Sequence, residues 1–465
     1  MAMIHTSHKS FIKNHPWFYP CLSMFICGSL FLLCALLSAA PASAQDWLRT
    51  GINLGVTKPR VAVADFSPKS PTSQPLATEF SDVVRADLDY SGIIDLVSKS
   101  FNPLQTPGAP SEVDFAGWSA APASTQLLAF GSLSASGNSL EIQAWLSDVR
   151  NSSLPPVIGK VYRGEVNDAQ VRMFAHQFAD EIINKLSGGL PGIASTQIAF
   201  VSNRSGNKEI WAMDYDGENE HQITQLHTIS LTPRWSPDAS RIAFTCYAPH
   251  GGTVLTAQIC VQSMLTSKLI SWPRFQGTNS SPAWSPDGSQ IMFMSSMYGN
   301  PELFTTDASG ARPKRLTYSN GANTSPSWNP KTGQQVAFVS DRGGIPQLYV
   351  MNVDGTSQTK VDLPDMGYVI DPAWSPNGQL LAFSWRRPNG NYDLYVMEIV
   401  THQLVELTRD VGRNERPSWA PDGRHIVFES TRTGTRQIWS MIADGTGARQ
   451  LTKQGQNESP NWSPK

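Results

Sequence analysis

The chain is poor in charge and in cysteine. Only 16% of its 465 residues are Asp, Glu, Lys or Arg, and the formal net charge is −2. Nucleic-acid binding rests on a clustered basic surface, so that class of function is disfavoured. Of five cysteines, three precede residue 44, leaving Cys246 and Cys260. His-Glu-x-x-His, Cys-x-x-Cys, Gly-x-Ser-x-Gly and phosphate-loop sequences are all missing. Beyond residue 44 the histidines (His176, His221, His227, His250, His402, His425) are scattered, and none is spaced as a metal pair. The expectation is a protein with no cofactor, no metal, no catalytic constellation and no small-molecule substrate.

What is present is apolar mass and turn formers. Hydrophobic residues are 40% of the chain, with 35 Gly, 33 Pro and 14 Trp. That supports real cores, argues against a helical bundle, and at this length implies two or more domains. The first 44 residues read as an export signal. Lys9 and Lys13 open it, an apolar run spans Cys21 to Ala40, and Pro41-Ala42-Ser43-Ala44 supplies an A-x-A cleavage pattern before Gln45. An uncleaved anchor is the competing reading. In an oxidising compartment Cys246 and Cys260 are a disulfide candidate, with two buried thiols as the alternative.

The strongest signal is a period. Trp235, Trp284, Trp328, Trp374, Trp419 and Trp462 recur every 43 to 49 residues, each with Pro two residues before and two after. Apolar triplets such as Ile242-Ala243-Phe244 and Val336-Ala337-Phe338 follow, then alternating stretches such as Gln347–Met351. Four short strands per repeat of about 45 residues is the pattern of a β-propeller blade. Ser-Pro-Asp-Gly after Trp284 is turn chemistry, as are Asp216-Gly217, Asp354-Gly355 and Asp444-Gly445. A calcium reading of Asp214-Tyr215-Asp216-Gly217 lacks the further carboxylates and distal Glu of a full loop. The repeats begin at Thr196-Gln197-Ile198-Ala199-Phe200 without a box and end at Trp462 without a second strand. The C-terminal strand is therefore expected to close the ring by completing the first blade.

Residues 45–187 lack this period. Strands are expected at 61–66, 126–133, 140–146 and 157–162, with helices at 76–88 and 168–186. Val171, Phe174, Ala175, Phe178, Ala179, Ile182, Ile183 and Leu186 form one stripe on the second helix. His176 is read as a packing or surface residue of that helix. Gly188-Gly189-Leu190-Pro191-Gly192 stops it, and residues 188–195 are read as a linker. The fold expected is a small α/β domain followed by an all-β six-bladed propeller at 196–465.

An exported chain of this domain order, with Gly55 and Pro59 before Val61–Phe66, Ser91-Gly92, Ala116-Gly117-Trp118 and six Trp boxes, resembles the TolB family, the periplasmic components of Tol–Pal systems. Peptidase propellers carry the same box but add a hydrolase domain, which does not fit here. The resemblance implies a non-enzymatic periplasmic scaffold that binds the lipoprotein Pal at one mouth of the propeller. It also implies contact with TolA through the N-terminal segment, here Gln45 to Asn53 with Asp46, Trp47, Leu48 and Ile52. Other outer-membrane proteins are further candidate partners, and the implied task is outer-membrane integrity and its invagination at division. An exported propeller hydrolase or ligand-binding protein is the alternative.

The loops entering the innermost strands should ring one mouth. Five residues before each Trp stand Ser230, Asn279, Asn323, Val369, Asn414 and Asn457. Asn at these places suits a tight turn. It also suits, with Arg274, Phe275, Tyr368, Arg413 and Glu415, a docking rim for Pal.

Overall fold

The computed structural model describes residues 48, 58–249, 255–388 and 390–465. The expected signal peptide, and Asp46, Trp47 and Ile52, lie outside the described residues. Leu48 is completely buried. Among the described residues no helix is long and apolar enough to cross a membrane.

The N-terminal layer is a mixed sheet under two long helices. Its strands are β1 (Arg60–Val63), β2 (Ser67–Pro68), β3 (Asp95–Leu96), β4 (Leu127–Ser136), β5 (Ser139–Asp148) and β6 (Ile158–Glu165), in the order β3-β1-β4-β5-β6, with β2 also on β4. β1 runs parallel to β3 and β4, whereas β4, β5 and β6 are antiparallel. Helices α1 (Gln74–Tyr90) and α3 (Asp168–Leu186) cover one face. Phe80, Val84, Phe174, Phe178 and Ile182 meet Val61, Val63, Ala129 and Ile142 there. Alternate strand residues, Ala62, Leu128 and Phe130, point to the other face and pack on Trp118 of α2 (Phe115–Ser119), as strand geometry requires. Asn167 caps α3, its side chain accepting from Gln170 N–H at 2.8 Å. Gly131 is a steric necessity: a Cβ there would lie 2.4 Å from the Phe66 ring.

The remainder is six four-stranded antiparallel sheets. Numbered from the sheet that begins at Gln197, blades 2 to 6 have innermost strands Ser230–Trp235, Asn279–Trp284, Asn323–Trp328, Tyr368–Trp374 and Asn414–Trp419. Blade 1 takes its innermost strand, Asn457–Trp462, from the C-terminus, paired with Gln197–Ser202. Ring closure is therefore as the box order implied. Trp462 packs with Ile198 and Phe200 of blade 1 and Val427 and Ile438 of blade 6.

Each innermost strand carries one bulge at the same place. Thr232, Ser281, Ser325, Asp371, Arg416 and Ser459, three residues before each Trp, all have φ between 50° and 56°. Non-glycine residues rarely adopt that region, and a bulge frees an N–H from the ladder. Three of these N–H groups staple neighbouring blades: Ser281 to Thr245 Oγ1 (3.1 Å), Arg416 to Ser384 Oγ (3.1 Å) and Ser459 to Glu429 Oε2 (2.7 Å). The turns after the Trp boxes are built as expected. Ser236 Oγ accepts from Arg241 N–H (3.0 Å), and Asp238 accepts from Ser236 and Ser240. Hydrogen bonds from Ser236 and Ser240 draw the Asp238 carboxyl down to about 2, and Ser285 and Ser289 do the same for Asp287.

Cys246 and Cys260 lie on paired strands of blade 2 and are joined by a disulfide, with Cα atoms 5.8 Å apart. In register Cys246 faces Gln258 and Cys260 faces Phe244, so the link runs diagonally across the pair. It is expected to contribute on the order of 3 kcal/mol on the chain-entropy account. Unfolding the leader-free protein without reductant should expose no free thiol to a thiol reagent; two free thiols would contradict the bond.

The expected linker at 188–195 is not a loose connection. Ile193 and Ala194 are buried, and Ala194 and Ser195 donate their N–H groups to Asp180 at 2.8 and 2.9 Å. The α/β layer meets blades 1 and 6 through polar contacts. Tyr90 Oη donates to Ser440 Oγ at 2.8 Å, its carbonyl lies 2.9 Å from His425 Nε2, and the Arg449 guanidinium sits 3.4 Å above its ring. Tyr215 Oη donates to Asp87, whose other oxygen holds His176 Nδ1 at 2.8 Å. His176 is thus a buried polar residue of the junction, not a surface group. These contacts involve the turns after the first and third strands, at the opposite end of the blades from the approach loops.

Candidate functional site

The approach loops and the hairpins between second and third strands form one face of the ring, and here the expected rim needs correction. Asn279, Asn323, Asn414 and Asn457 are completely buried. Their side chains close turns. Asn279 Nδ2 reaches the carbonyls of Phe275 and Gly277 (both 3.2 Å), and Asn457 Nδ2 reaches Gln437 Oε1 (2.7 Å) and the Gln454 carbonyl (2.9 Å). Asn323 and Asn414 likewise reach a side chain near the start of the preceding blade's third strand, Glu302 (2.7 Å) and Asp393 (3.1 Å).

The other end of the same Asn holds an arginine. Arg342 donates to Asn323 Oδ1 (2.7 Å) and Ser340 Oγ (2.9 Å), its guanidinium 4.8 Å from the centre of Tyr349. Arg432 repeats this on Asn414, Ser430 and Trp439, and Arg204 on Asn457, Ser202 and Trp211. Buried amides are mostly satisfied at both ends, and the Ser-x-Arg spacing in Ser202–Arg204, Ser340–Arg342 and Ser430–Arg432 was a signal that could have shown it; blade 3 has Met297 in place of the Arg, and Asn279 Oδ1 has no partner there. Blade 5 breaks both halves together, with Val369 for Asn and Trp385 for Ser. Arg387 there stacks 5.0 Å from Trp385 instead.

The remaining rim residues divide. Arg274 and Arg413 are exposed, and Tyr368 is 37% exposed beneath Arg386, 4.4 Å from its ring. Phe275 is half-buried, stacked 5.6 Å from Phe293, so part of its surface serves the blade core. Glu415 is 6% exposed and receives Arg413 at 2.7 Å, an internal partner rather than a free anchor. Sequence reasoning passed over Tyr298 and Tyr318, which stand on the same face 71% and 74% exposed with the Arg315 guanidinium between them.

Inside the ring the six box Trp and the Pro two residues after each line a cavity of about 400 Å³ that also reaches Arg234, Asp371 and Arg416. Blades 5, 6 and 1 give this axis an ionic wall. Arg416 contacts Glu429 (3.1 Å), Asp371 (3.8 Å) and Glu458 (3.9 Å), while Arg436 contacts Glu429 (3.2 Å), Glu458 (3.0 Å) and Glu415 (3.6 Å). Burial pushes Glu429 and Asp371 above the ordinary carboxylate range despite Arg416 pulling the other way. Burial would lower Arg416, but Glu429 and Asp371 outweigh it and hold its charge. Arg234 of blade 2 adds a cation that acts on Asp371, whereas at the position of Glu415 and Glu458, four residues before the box Trp, blades 2 to 4 carry the uncharged Leu231, Ser280 and Thr324.

Known proteins repeat this architecture. The family described as the TolB amino-terminal domain matches residues 51–154, and the TolB beta propeller domain matches 184–369 and 364–465. A Tol-Pal system protein TolB from Bordetella pertussis is 31% identical over 440 residues, 94% of each chain. The chain belongs to the TolB family. A TolB homolog from Chlorobium luteolum is 30% identical over 389 residues, covering 83% of this chain and 86% of its own. The crystal structure of TolB from Acinetobacter baumannii superposes with a TM-score of 0.73 at 26% identity, over 88% of this chain and 98% of that one. Family membership thus spans both layers and the ring closure, and the approach-loop face is the exposed end of a TolB-type propeller.

Proposed function

We propose that this protein is the periplasmic scaffold of a Tol–Pal system, exported by a signal peptide cleaved after Ala44, with no catalytic role. It binds the peptidoglycan-associated lipoprotein Pal on the approach-loop face and links to TolA through residues 45–53, supporting outer-membrane integrity and its invagination at division. Membership of the TolB family carries this reading. The chemistry of the face supports it. Tyr298, Tyr318 and Tyr368 are exposed aromatics, and Arg274 and Arg413 exposed cations, on loops of a rigid ring, the residue types that anchor interfaces. The acidic groups of the wall are engaged by Arg416 and Arg436, which suits a docking surface better than a proton-transfer site.

Tyr368→Ala is expected to weaken Pal binding by about 1–3 kcal/mol. The melting temperature should stay nearly unchanged, because the ring is already part exposed. Phe275→Ala should also weaken binding but cost stability as well, since Phe293 loses its stacking partner. Calorimetric titration with the soluble domain of Pal checks both. Wild-type affinity in Tyr368→Ala, Phe275→Ala and the Arg274→Ala/Arg413→Ala double variant would move the interface to the opposite mouth. Deleting residues 45–53 is expected to abolish TolA capture while sparing Pal.

A further inference from the structure

We propose that His176 Nε2, Asp214 and Asp216 form a binding site for a divalent transition cation of zinc type, at the seam between α3 and blade 1. One ligand atom from each lies within 4.8 Å of the other two. The histidine makes this more than an acidic turn. Its side chain is only 4% exposed, and Nε2 is buried without a hydrogen-bond partner, 3.8 Å from Asp216 Oδ2. Its Nδ1 is fixed by Asp87 at 2.8 Å, and Asp87 is fixed in turn by the Tyr215 hydroxyl. A carboxylate behind the far nitrogen of a histidine is the arrangement that orients a metal-ligating imidazole and raises its basicity.

The carboxylates are similarly placed. Asp216 Oδ1 accepts the Glu218 N–H (3.1 Å) as the turn residue of its hairpin, while Oδ2, directed to the seam, accepts from the Arg172 guanidinium, which a bound cation would displace. Asp214 accepts from Asn219 Nδ2 (2.5 Å) and Gln197 Nε2 (3.4 Å), two neutral donors that retain its charge for a cation. One imidazole nitrogen with two carboxylate oxygens suits zinc-type ions, whereas calcium takes six or more oxygens. The positive group already in place is Arg172, whose guanidinium meets Asp216; Glu79 lies 3.8 Å from its other end and offers it a second partner. A bound cation would tie the α/β layer to the propeller, since the ligands come from both.

Titration calorimetry of the tag-free protein with Zn²⁺ tests this. One ion per chain is expected, with affinity rising from pH 5.5 to 7.5 because the ion displaces the imidazole proton. Asp214→Asn and His176→Ala should each weaken binding at least about tenfold. Zn²⁺ should raise the melting temperature of the wild type and not of Asp214→Asn. Asp214 lies on the half-exposed turn, so that variant keeps the test valid should His176→Ala fail to fold. Absence of saturable Zn²⁺ binding up to roughly millimolar concentration, or equal binding in a folded variant and the wild type, would overturn the proposal. Equal binding would assign the ion to surface histidines such as His221.

Discussion

Deleting Ser459–Lys465 should open the ring and lower the melting temperature by roughly 10 °C or more. This segment does several jobs at once. It holds most of the innermost strand of blade 1, Asn457–Trp462, and its Asn461 and Trp462 pair with Ala199 and Ile198, whose N–H and C=O groups would lose their partners. Trp462, 4% exposed between blades 1 and 6, donates from Nε1 to Thr196 Oγ1 at 2.7 Å. Asn461 ties three blades, accepting from Trp235 N–H (2.8 Å) and donating to Ser418 Oγ (3.2 Å). Loss of a buried Trp alone costs about 3–5 kcal/mol, a large share of the 5–15 kcal/mol typical of a folded protein. Scanning calorimetry of the truncated protein and of Trp462→Ala checks this, with the point variant the milder of the two. A truncated chain melting at the wild-type temperature would show that the ring does not depend on this strand.

Arg416→Met is expected to cost about 2–3 kcal/mol, less than a fully buried ion pair would lose because the Arg416 side chain is 35% exposed and partly screened. Arg416 lies between Glu429, Asp371 and Glu458, and Glu429 is 1% exposed as a residue. Arg436 remains 3.2 Å from Glu429 and moderates the loss. Burial already raises the Glu429 carboxyl, and Arg416 is the largest force opposing that rise. Without it the folded protein favours protonated Glu429 more strongly than the unfolded chain does. A raised carboxyl destabilises the fold above its ordinary range and ceases to do so as pH falls and it protonates. The deficit should therefore shrink between pH 7.5 and 5. Urea unfolding at both pH values measures it; a deficit under about 1 kcal/mol at pH 7.5 would mean that the wall is wet enough to solvate the freed carboxylates.

The propeller was legible because its information is local and repeated. Each box holds its own turn in Ser236-Pro237-Asp238 and its own wedge in Trp235, and the missing strand at one terminus with the surplus strand at the other gave closure. The helices were legible for the same reason, since the stripe from Val171 to Ile183 is a property of one segment. The rim was legible in position and misread in chemistry. Asn at the start of a strand looks alike whether it faces solvent or a carbonyl, and only the distant Arg204, Arg342 and Arg432 decide between them. Glu415 was misread for a related reason: Arg413 folds back over it from the entering loop and Arg436 reaches it from the third strand. The seam was not legible at all. Asp87, His176, Tyr215 and Asp216 come from α1, α3 and blade 1, and no spacing within any one of these signals the others.

The central claim is that the approach-loop face receives Pal. Calorimetric titration of the wild-type protein with the lipid-free periplasmic domain of Pal from the same organism, repeated with Tyr368→Ala, tests it most directly. The account predicts a saturable one-to-one complex that weakens about tenfold or more in the variant; no saturable binding by the wild type, or identical binding by both, would contradict it.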